Sequence, residues 1–131
     1  MARPVHFEIQ VNDVERAKNF YAEVFGWEFQ DYSHVTGTPY WGVITGEEGT
    51  MGINGGLLPR TRTETPKFDA PNAFVVTVAV EDYDSIEEAI LRLGGETVSP
   101  KTALPGMAWQ GYFTDTEGNV FGIHQPDENA R

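Results

Sequence analysis

The sequence predicts an α+β fold in which two tandem βαβββ modules form a curved mixed sheet around a cleft. Three observations predict this class. The 131-residue chain resembles itself when residue 5 is placed over residue 74. Each copy begins with a segment of alternating apolar residues, which is typical of a strand. Each such segment precedes an apolar stripe at helical spacing.

The first strand of each copy, residues 5–11 and 74–80, divides its side chains between two faces, because successive residues of a strand point in opposite directions. The face predicted to meet the helix is apolar, with Val5, Phe7, Ile9 and Val11 in the first copy and Phe74, Val76, Val78 and Val80 in the second. The opposite face carries His6, Glu8 and Gln10 in the first copy and Val75, Thr77 and Ala79 in the second.

An amphipathic helix follows each first strand. The predicted buried stripes are Val14, Ala17, Tyr21 and Val24 in the first copy and Tyr83, Ile86, Ile90 and Leu93 in the second. Asp13 and Asp82 stand where a side chain caps the free amides of a helix N-terminus. Gly26 and Gly95 stand where helices often end in a left-handed residue.

A hairpin and a last strand complete each copy. Residues 42–45 match residues 111–114, and turns at 46–49 and 115–118 follow them. In the last strand Phe121 and Ile123 are predicted to pack against the helix. The other face then carries Val120, Gly122 and His124.

The repeat also predicts the domain organisation. A further strand is expected in each copy, near residues 27–32 and near residues 96–100. The modules then span residues 1–58 and 73–127 of one domain, residues 1–131, joined by a linker at 59–72 that is rich in Pro, Thr and charge.

Composition excludes several classes of protein. The net charge of -11 argues against nucleic acid or an anionic membrane, because both require clustered Lys and Arg. The absence of cysteine excludes thiol chemistry and fits a reducing compartment. No apolar stretch has the length of a signal or a membrane span. We therefore expect a cytoplasmic protein.

Two motifs connect the repeat to a known family. The run Val-Asn-Asp-Val-Glu-Arg-Ala-Lys-Asn-Phe-Tyr at residues 11–21 leads to Gly26-Trp27, and Asp-Thr-Glu-Gly-Asn-Val-Phe occupies residues 115–121. Together with the paired modules, these runs resemble the vicinal oxygen chelate superfamily, which includes glyoxalase I, extradiol dioxygenases, fosfomycin-resistance enzymes and bleomycin-binding proteins. The resemblance implies a small-molecule ligand and a homodimer.

Enzymes of that superfamily hold a divalent metal with side chains from four equivalent strand positions, commonly His and Glu. The resemblance places His6 at one position and Val75 at a second. Gly122 stands where the enzymes commonly carry a carboxylate, and the remaining position falls within residues 52–54, where Asn54 is the only conceivable ligand. Because Val and Gly offer no ligand atom, we expect no standard metal site and no cofactor. The alternative is a divalent metal in a rearranged site made of His6, Glu8 and His124.

Two functions remain open on the sequence. The first is a glyoxalase/bleomycin-resistance-like protein that binds a small organic molecule in the cleft. The residues predicted to line this cleft are His6, Glu8, Gln10, Trp41, Asn54, Thr77, Trp109 and His124. The second is a divalent-metal-dependent lyase, isomerase or dioxygenase that uses the rearranged site. The structural alternative for the two histidines and Glu8 is local hydrogen bonding, and for the tryptophans it is packing in a core or an interface. No catalytic residue is assigned.

Overall fold

The computed structural model describes residues 3–61 and 74–131, and the chain divides into two compact units, Met1–Thr65 and Pro66–Arg131. The boundary falls inside the segment predicted as a linker, most of which lies outside the described residues. Pro59, predicted to begin that linker, is the last residue of a strand, and the Arg60 backbone amide donates to the carbonyl of Val11 at 2.9 Å.

The first unit is a four-stranded mixed sheet with one long helix. Its elements are β1 (Phe7–Val11), α1 (Val14–Phe25), β2 (Glu28–Asp31), α2 (Ser33–Thr36), β3 (Trp41–Ile44) and β4 (Gly55–Pro59). The strand order is β1-β4-β3-β2, with β1 parallel to β4 and the other pairs antiparallel. The short helix α2 was not predicted.

The second unit repeats this topology. Its elements are β5 (Thr77–Ala79), α3 (Tyr83–Arg92), β6 (Glu96–Leu104), β7 (Ala108–Thr114) and β8 (Val120–Pro126). The strand order is β5-β8-β7-β6, and β5 is parallel to β8. The predicted α+β class with two βαβββ modules is confirmed. Among residues 3–61 and 74–131, no helix is long and apolar enough to cross a bilayer.

The helix starts agree with the sequence, and one of the two predicted stops does not. Asp13 accepts from the amide of Arg16 at 3.0 Å, and Asp82 caps α3 in the same way. Gly26 ends α1 with φ 75°. In α3 the left-handed residue is Gly94, with φ 100°, and not Gly95 as predicted. Gly95 is required for packing instead, since a Cβ there would lie 2.6 Å from the carbonyl oxygen of Thr114.

Each helix buries its apolar stripe against its own sheet. The buried hydrophobic residues of the first unit are Val11, Ala17, Phe20, Tyr21, Val24, Trp27, Val43 and Leu57. Tyr21 stacks on Trp27 with ring centroids 5.1 Å apart. In the second unit the buried set includes Val80, Tyr83, Ile90, Phe113, Phe121 and Ile123. Burial of these side chains is the main stabilising term of each unit.

The first strand of the second unit is shorter than predicted. Only Thr77–Ala79 form β5, and Val80 is buried on the helix side as expected. Phe74 is 105% exposed and does not pack under α3, and Val76 is 39% exposed. The pairing of β5 with β8 covers three residues, whereas β1, which is also an edge strand, pairs with β4 over five.

The hairpin strands repeat at a different offset from the first strands. Across the first sheet the paired residues are Ile9, Leu57 and Trp41, and across the second they are Val78, Ile123 and Gly111. Trp41 therefore corresponds to Gly111, and the predicted match of residues 42–45 to 111–114 is wrong by one residue. The segments before these strands differ, because α2 precedes β3 whereas the longer β6, with its register shifts, precedes β7. A slip of one residue moves every side chain to the other face of a sheet.

The buried hydroxyl of Tyr83 generates a stability prediction. It has no hydrogen-bond partner in the described parts of the chain, and burial, with smaller contributions from Glu87 and Asp84, raises the pKa of Tyr83 to about 12. An unfolded tyrosine titrates near pH 10. Since folding favours the protonated form, its stabilising contribution is complete below about pH 10 and is lost as pH rises towards 12.

We expect Tyr83→Phe to leave the free energy of unfolding at neutral pH unchanged or to raise it by up to about 1 kcal/mol, because no hydrogen bond is lost. Between about pH 10 and 12 the variant should lose less stability than the wild type. Urea denaturation across this pH range measures both effects. A neutral-pH loss above about 2 kcal/mol would show that the hydroxyl has a partner.

Candidate functional site

The sheet face that α1 leaves uncovered carries the polar residues of the first unit. We call it the first open face. The pairing of Glu8 with Gly56, and of Gly56 with Gly42, places these three residues on it. Alternation adds Gln10, which lies opposite Leu58, and Gln30, which lies opposite Gly42. The predicted face of His6, Glu8 and Gln10 is therefore the one opposite the helix.

Tyr40 is the centre of the first open face. Its hydroxyl donates to Glu8 Oε2 at 2.8 Å and lies 2.8 Å from His6 Nε2. The ring reaches these partners by lying across Gly56, where the hydroxyl occupies the space that a Cβ would need. The absence of a side chain at Gly56 thus makes room for the three-residue cluster His6–Tyr40–Glu8.

The cluster keeps Tyr40 protonated. Desolvation is the largest cause, and the hydrogen bond to Glu8 and its negative charge add to it, so the pKa of Tyr40 rises to about 12. A phenol held in this way is a hydrogen-bond donor and acceptor through the physiological range, and it is not a nucleophile or a base.

A second tyrosine lies on the same face. Its ring covers Gly42, since a Cβ there would be 2.7 Å from Tyr32 Cε2, and its hydroxyl donates to Gln30 Oε1 at 3.2 Å. Tyr32 is 39% exposed. Two adjacent glycine positions in β3 and β4 therefore support two tyrosine rings.

The corresponding second open face belongs to the other unit. Thr77 pairs with Gly122, which pairs with Tyr112, and all three lie opposite α3. His124 lies on this face beside Gln110, and its Nδ1 is 2.7 Å from Gln110 Oε1. The Gln110 side chain covers Gly122, since a Cβ there would lie 2.9 Å from Gln110 Nε2 and 3.0 Å from Thr77 Oγ1.

The structure places the two predicted cleft tryptophans on the helix faces. Trp41 pairs with Leu57 and lies under Lys18 of α1, whose Nζ is 5.9 Å from the ring centroid. Lys101 Nζ lies 4.7 Å from the ring centroid of Trp109, and the Trp109 indole N–H donates to Asp127 Oδ2 at 3.0 Å. Each tryptophan is a sequence neighbour of open-face residues, so its side chain points to the opposite face of the sheet. The strand register therefore corrects the prediction that Trp41 and Trp109 line the cleft.

Asn54 has a local role, and another residue stands at the fourth ligand position. Asn54 Oδ1 accepts from the Thr45 amide at 2.9 Å and so closes the loop between β3 and β4. In the two units Glu8 pairs with Gly56 as Thr77 pairs with Gly122. The first-unit counterpart of Gly122 is therefore Gly56, two residues beyond Asn54.

The resemblance, with the strand pairing used for the fourth position, implies that His6, Val75, Gly56 and Gly122 stand where the superfamily's enzymes carry metal ligands. Only the first has a side-chain ligand atom, and that imidazole is hydrogen-bonded to Tyr40. Tyr40 and Gln110 occupy the space above the two glycines. Within residues 3–61 and 74–131, no group of three or more His, Cys, Asp or Glu side chains is arranged to hold a metal ion. The residues present do not fit the standard metal centre.

Comparisons with known proteins identify the family. Residues 3–123 match the model of the Glyoxalase/Bleomycin resistance protein/Dioxygenase superfamily. A glyoxylase-like domain-containing protein of Didymella fabae is 31% identical over 118 residues, which is 88% of each chain. The chain belongs to this superfamily.

Solved structures share the fold at low identity. TnmS3, an antibiotic-binding protein from Streptomyces sp. CB03234, has a TM-score of 0.68 and 23% identity, covering 97% of this chain and 98% of its own. A mutant of the fosfomycin resistance protein FosX from Listeria monocytogenes, complexed with Mn(II) and a dihydroxypropylphosphonic acid, has a TM-score of 0.70 and 16% identity, covering 95% and 90%.

The sequence did not identify Tyr40 and Gln110 as the organisers of the open faces. The pattern that could have found them is the glycine on each neighbouring strand. Gly56 and Gly122 stand inside strands, where Gly often marks the close approach of another group. Identifying which group approaches them requires the strand pairing.

We expect Glu8→Gln to lower the pKa of Tyr40 from about 12 towards the ordinary tyrosine value, because the charge and the charge-assisted hydrogen bond are both removed. Part of the elevation should persist, since desolvation is its largest cause. Ultraviolet titration of tyrosinate measures the shift, and Tyr40→Phe identifies the transition. Glu23→Gln, at an exposed position of α1, is the control and should leave the titration unchanged. An unaltered tyrosinate titration curve in Glu8→Gln would contradict the hydrogen bond between Tyr40 and Glu8.

Proposed function

We propose that the protein binds a small organic molecule on the open faces of its sheets and does so without the superfamily's standard divalent metal. The observation that carries this proposal is the replacement of two ligand positions by Gly56 and Gly122, each covered by a neighbouring polar side chain. A change that removes a ligand and fills its space favours recognition of an organic group over metal coordination.

The physical argument concerns the number of ligands. A divalent metal in a catalytic protein site usually has about three protein ligands and an open position. Of the four positions here, only His6 supplies a donor atom, and metal coordination through Nε2 would break its contact with Tyr40. The rearranged alternative of His6, Glu8 and His124 would also have to break the Tyr40–Glu8 bond or use the second carboxylate oxygen.

The open faces are suited to an uncharged or weakly charged organic ligand. They present tyrosine rings, amides, hydroxyls, imidazoles and the carboxylate of Glu8, which together offer apolar contact and hydrogen bonds of both polarities. We therefore retain His6, Glu8, Gln10, Thr77 and His124 as ligand-contacting residues and add Tyr40 and Gln110. This composition is typical of small-molecule sites, in which a few polar groups orient a largely apolar partner.

The structural relatives illustrate both alternatives. TnmS3 is described as an antibiotic-binding protein, and the FosX mutant was solved with Mn(II). The loss of ligand atoms at Val75, Gly56 and Gly122 favours the first kind of function for this chain. Turnover by a divalent-metal-dependent lyase, isomerase or dioxygenase is the competing function.

The first test is metal retention. We expect the purified protein, incubated with Zn²⁺, Ni²⁺, Mn²⁺ or Fe²⁺ and then desalted, to retain far less than one ion per chain by elemental mass spectrometry. His6→Ala and His124→Ala should not change that result. Retention near one ion per chain that disappears in these variants would contradict metal-free binding and support the enzyme.

The second test is a ligand screen read by histidine NMR signals. Compounds that bind the open faces should shift the imidazole signals of His6 and His124, while exposed His34 serves as an internal reference. Gly122→Leu should abolish the shift at His124, because its side chain needs the space above the sheet. Gly46→Leu is the matched control, since a Cβ there meets only Thr50 at 3.7 Å. A library in which no compound shifts either histidine would contradict the proposal.

We further propose a cytoplasmic homodimer. Supporting this are the absence of cysteine and the resemblance to superfamily members that are typically dimeric. Light scattering of the purified protein should give twice the chain mass, and a value equal to one chain mass would contradict the dimer.

A further inference from the structure

The two units share a side-chain arrangement that the sequence repeat did not show. Tyr40 stands two residues before Gly42, and Gln110 stands two residues before Tyr112, so strand register makes Tyr40 and Gln110 counterparts. Each side chain lies across a glycine of the adjacent strand, Gly56 or Gly122.

Each of these two side chains also binds a histidine. Tyr40 meets His6 at 2.8 Å and Gln110 meets His124 at 2.7 Å. The histidines themselves are not counterparts, because His6 precedes β1 and His124 lies in β8. The repeated feature is thus the arrangement of a polar side chain seated on glycine and bonded to an imidazole.

The directions of the hydrogen bonds made by Tyr40 determine which ring nitrogen of His6 carries a proton. An ionised carboxylate only accepts, so the single hydroxyl proton of Tyr40 is donated to Glu8. The phenolic oxygen then accepts from His6, which must carry a proton on Nε2. In the neutral imidazole, Nδ1 is left with a lone pair, and it has no partner among the described residues.

The same reasoning gives the opposite tautomer for His124. Gln110 Oε1 can only accept, so His124 Nδ1 carries the proton and Nε2 is left as the acceptor. The amide nitrogen of Gln110 then lies over Gly122, 2.9 Å from the place that a Cβ would take. The acceptor nitrogen is therefore Nδ1 in His6 and Nε2 in His124. Each tautomer is fixed by a side chain that lies across a glycine.

We propose that Tyr40 and Gln110 are positioning residues that fix which nitrogen of His6 and His124 carries the proton, so that His6 Nδ1 and His124 Nε2 are the nitrogens that accept hydrogen bonds from an organic ligand with phenolic O–H or similar donors. This proposal rests on the proposed function and names its ligand class. A ligand whose polar groups are only acceptors gains nothing from either nitrogen. A donor ligand makes one more hydrogen bond at each imidazole it reaches.

The tautomers can be measured without any ligand. Long-range ¹H–¹⁵N NMR at a pH where imidazoles are neutral should show the proton of His6 on Nε2 and that of His124 on Nδ1. Gln110→Leu should return His124 to the tautomer mixture of exposed His34. Tyr40→Phe should likewise return His6 to a mixture of the two tautomers. A proton on Nε2 of wild-type His124 would overturn the assignment, because Gln110 would then be the donor.

The ligand class can be tested with a matched pair of probes, 2-naphthol and 2-methoxynaphthalene, which differ in the donor O–H. We expect 2-naphthol to shift the His6 or His124 signals with about fivefold higher affinity, which corresponds to one hydrogen bond. The corresponding variant, Tyr40→Phe or Gln110→Leu, should bring the ratio of the two affinities towards one, and this ratio is the readout whether or not the affinity for the ether also changes. Glu23→Gln controls for nonspecific effects.

The outcomes separate the two proposals. Equal affinity of both probes in the wild type would overturn the acceptor role and leave small-molecule binding intact. The absence of any shift with either probe at millimolar concentration would overturn the phenolic ligand class, and the wider screen alone would then decide whether the open faces bind organic molecules.

Discussion

The pairing of β1 with β4, and of β5 with β8, is the constraint on which the rest of each unit depends. These parallel pairs fix which residue of the last strand lies beside each residue of the first. Because side chains alternate along a strand, the same pairing decides which residues enter the core and which reach the open face. Leu57 and Ile123 are thereby buried, and the glycines next to them, Gly56 and Gly122, are directed to the opposite side.

The two glycines leave room on the open faces for polar side chains. A side chain at either position would occupy the open face, and its absence lets a residue from the neighbouring hairpin strand lie flat on the sheet. In the first unit the resident is a tyrosine that joins an imidazole to a carboxylate. In the second it is a glutamine that holds an imidazole alone. One backbone arrangement thus supports two hydrogen-bonding surfaces of different polarity.

Gly56 and Gly122 stand where the resemblance to the superfamily's enzymes implies metal ligands. Loss of a carboxylate alone would leave a space that water or a neighbouring side chain has to fill. Here Tyr40 and Gln110 fill it, and each gains a hydrogen-bond partner that compensates for the loss of solvent. The family relationship establishes the fold, and a shared fold does not by itself determine the function.

The sequence by itself determined the two-module α+β fold, the helix caps at Asp13 and Asp82 and the face of His6 and Glu8, because these depend on local periodicity and on repetition. It could not determine the offset of the hairpin strands, which places Trp41 on the helix face, or the extent of β5, which leaves Phe74 exposed. Those features depend on pairing between distant residues, and a slip of one residue reverses a strand's two faces. Only the tertiary structure decided that Tyr40 and Gln110 are the organisers of the open faces, since their partners lie on other strands and no pattern along the chain connects them.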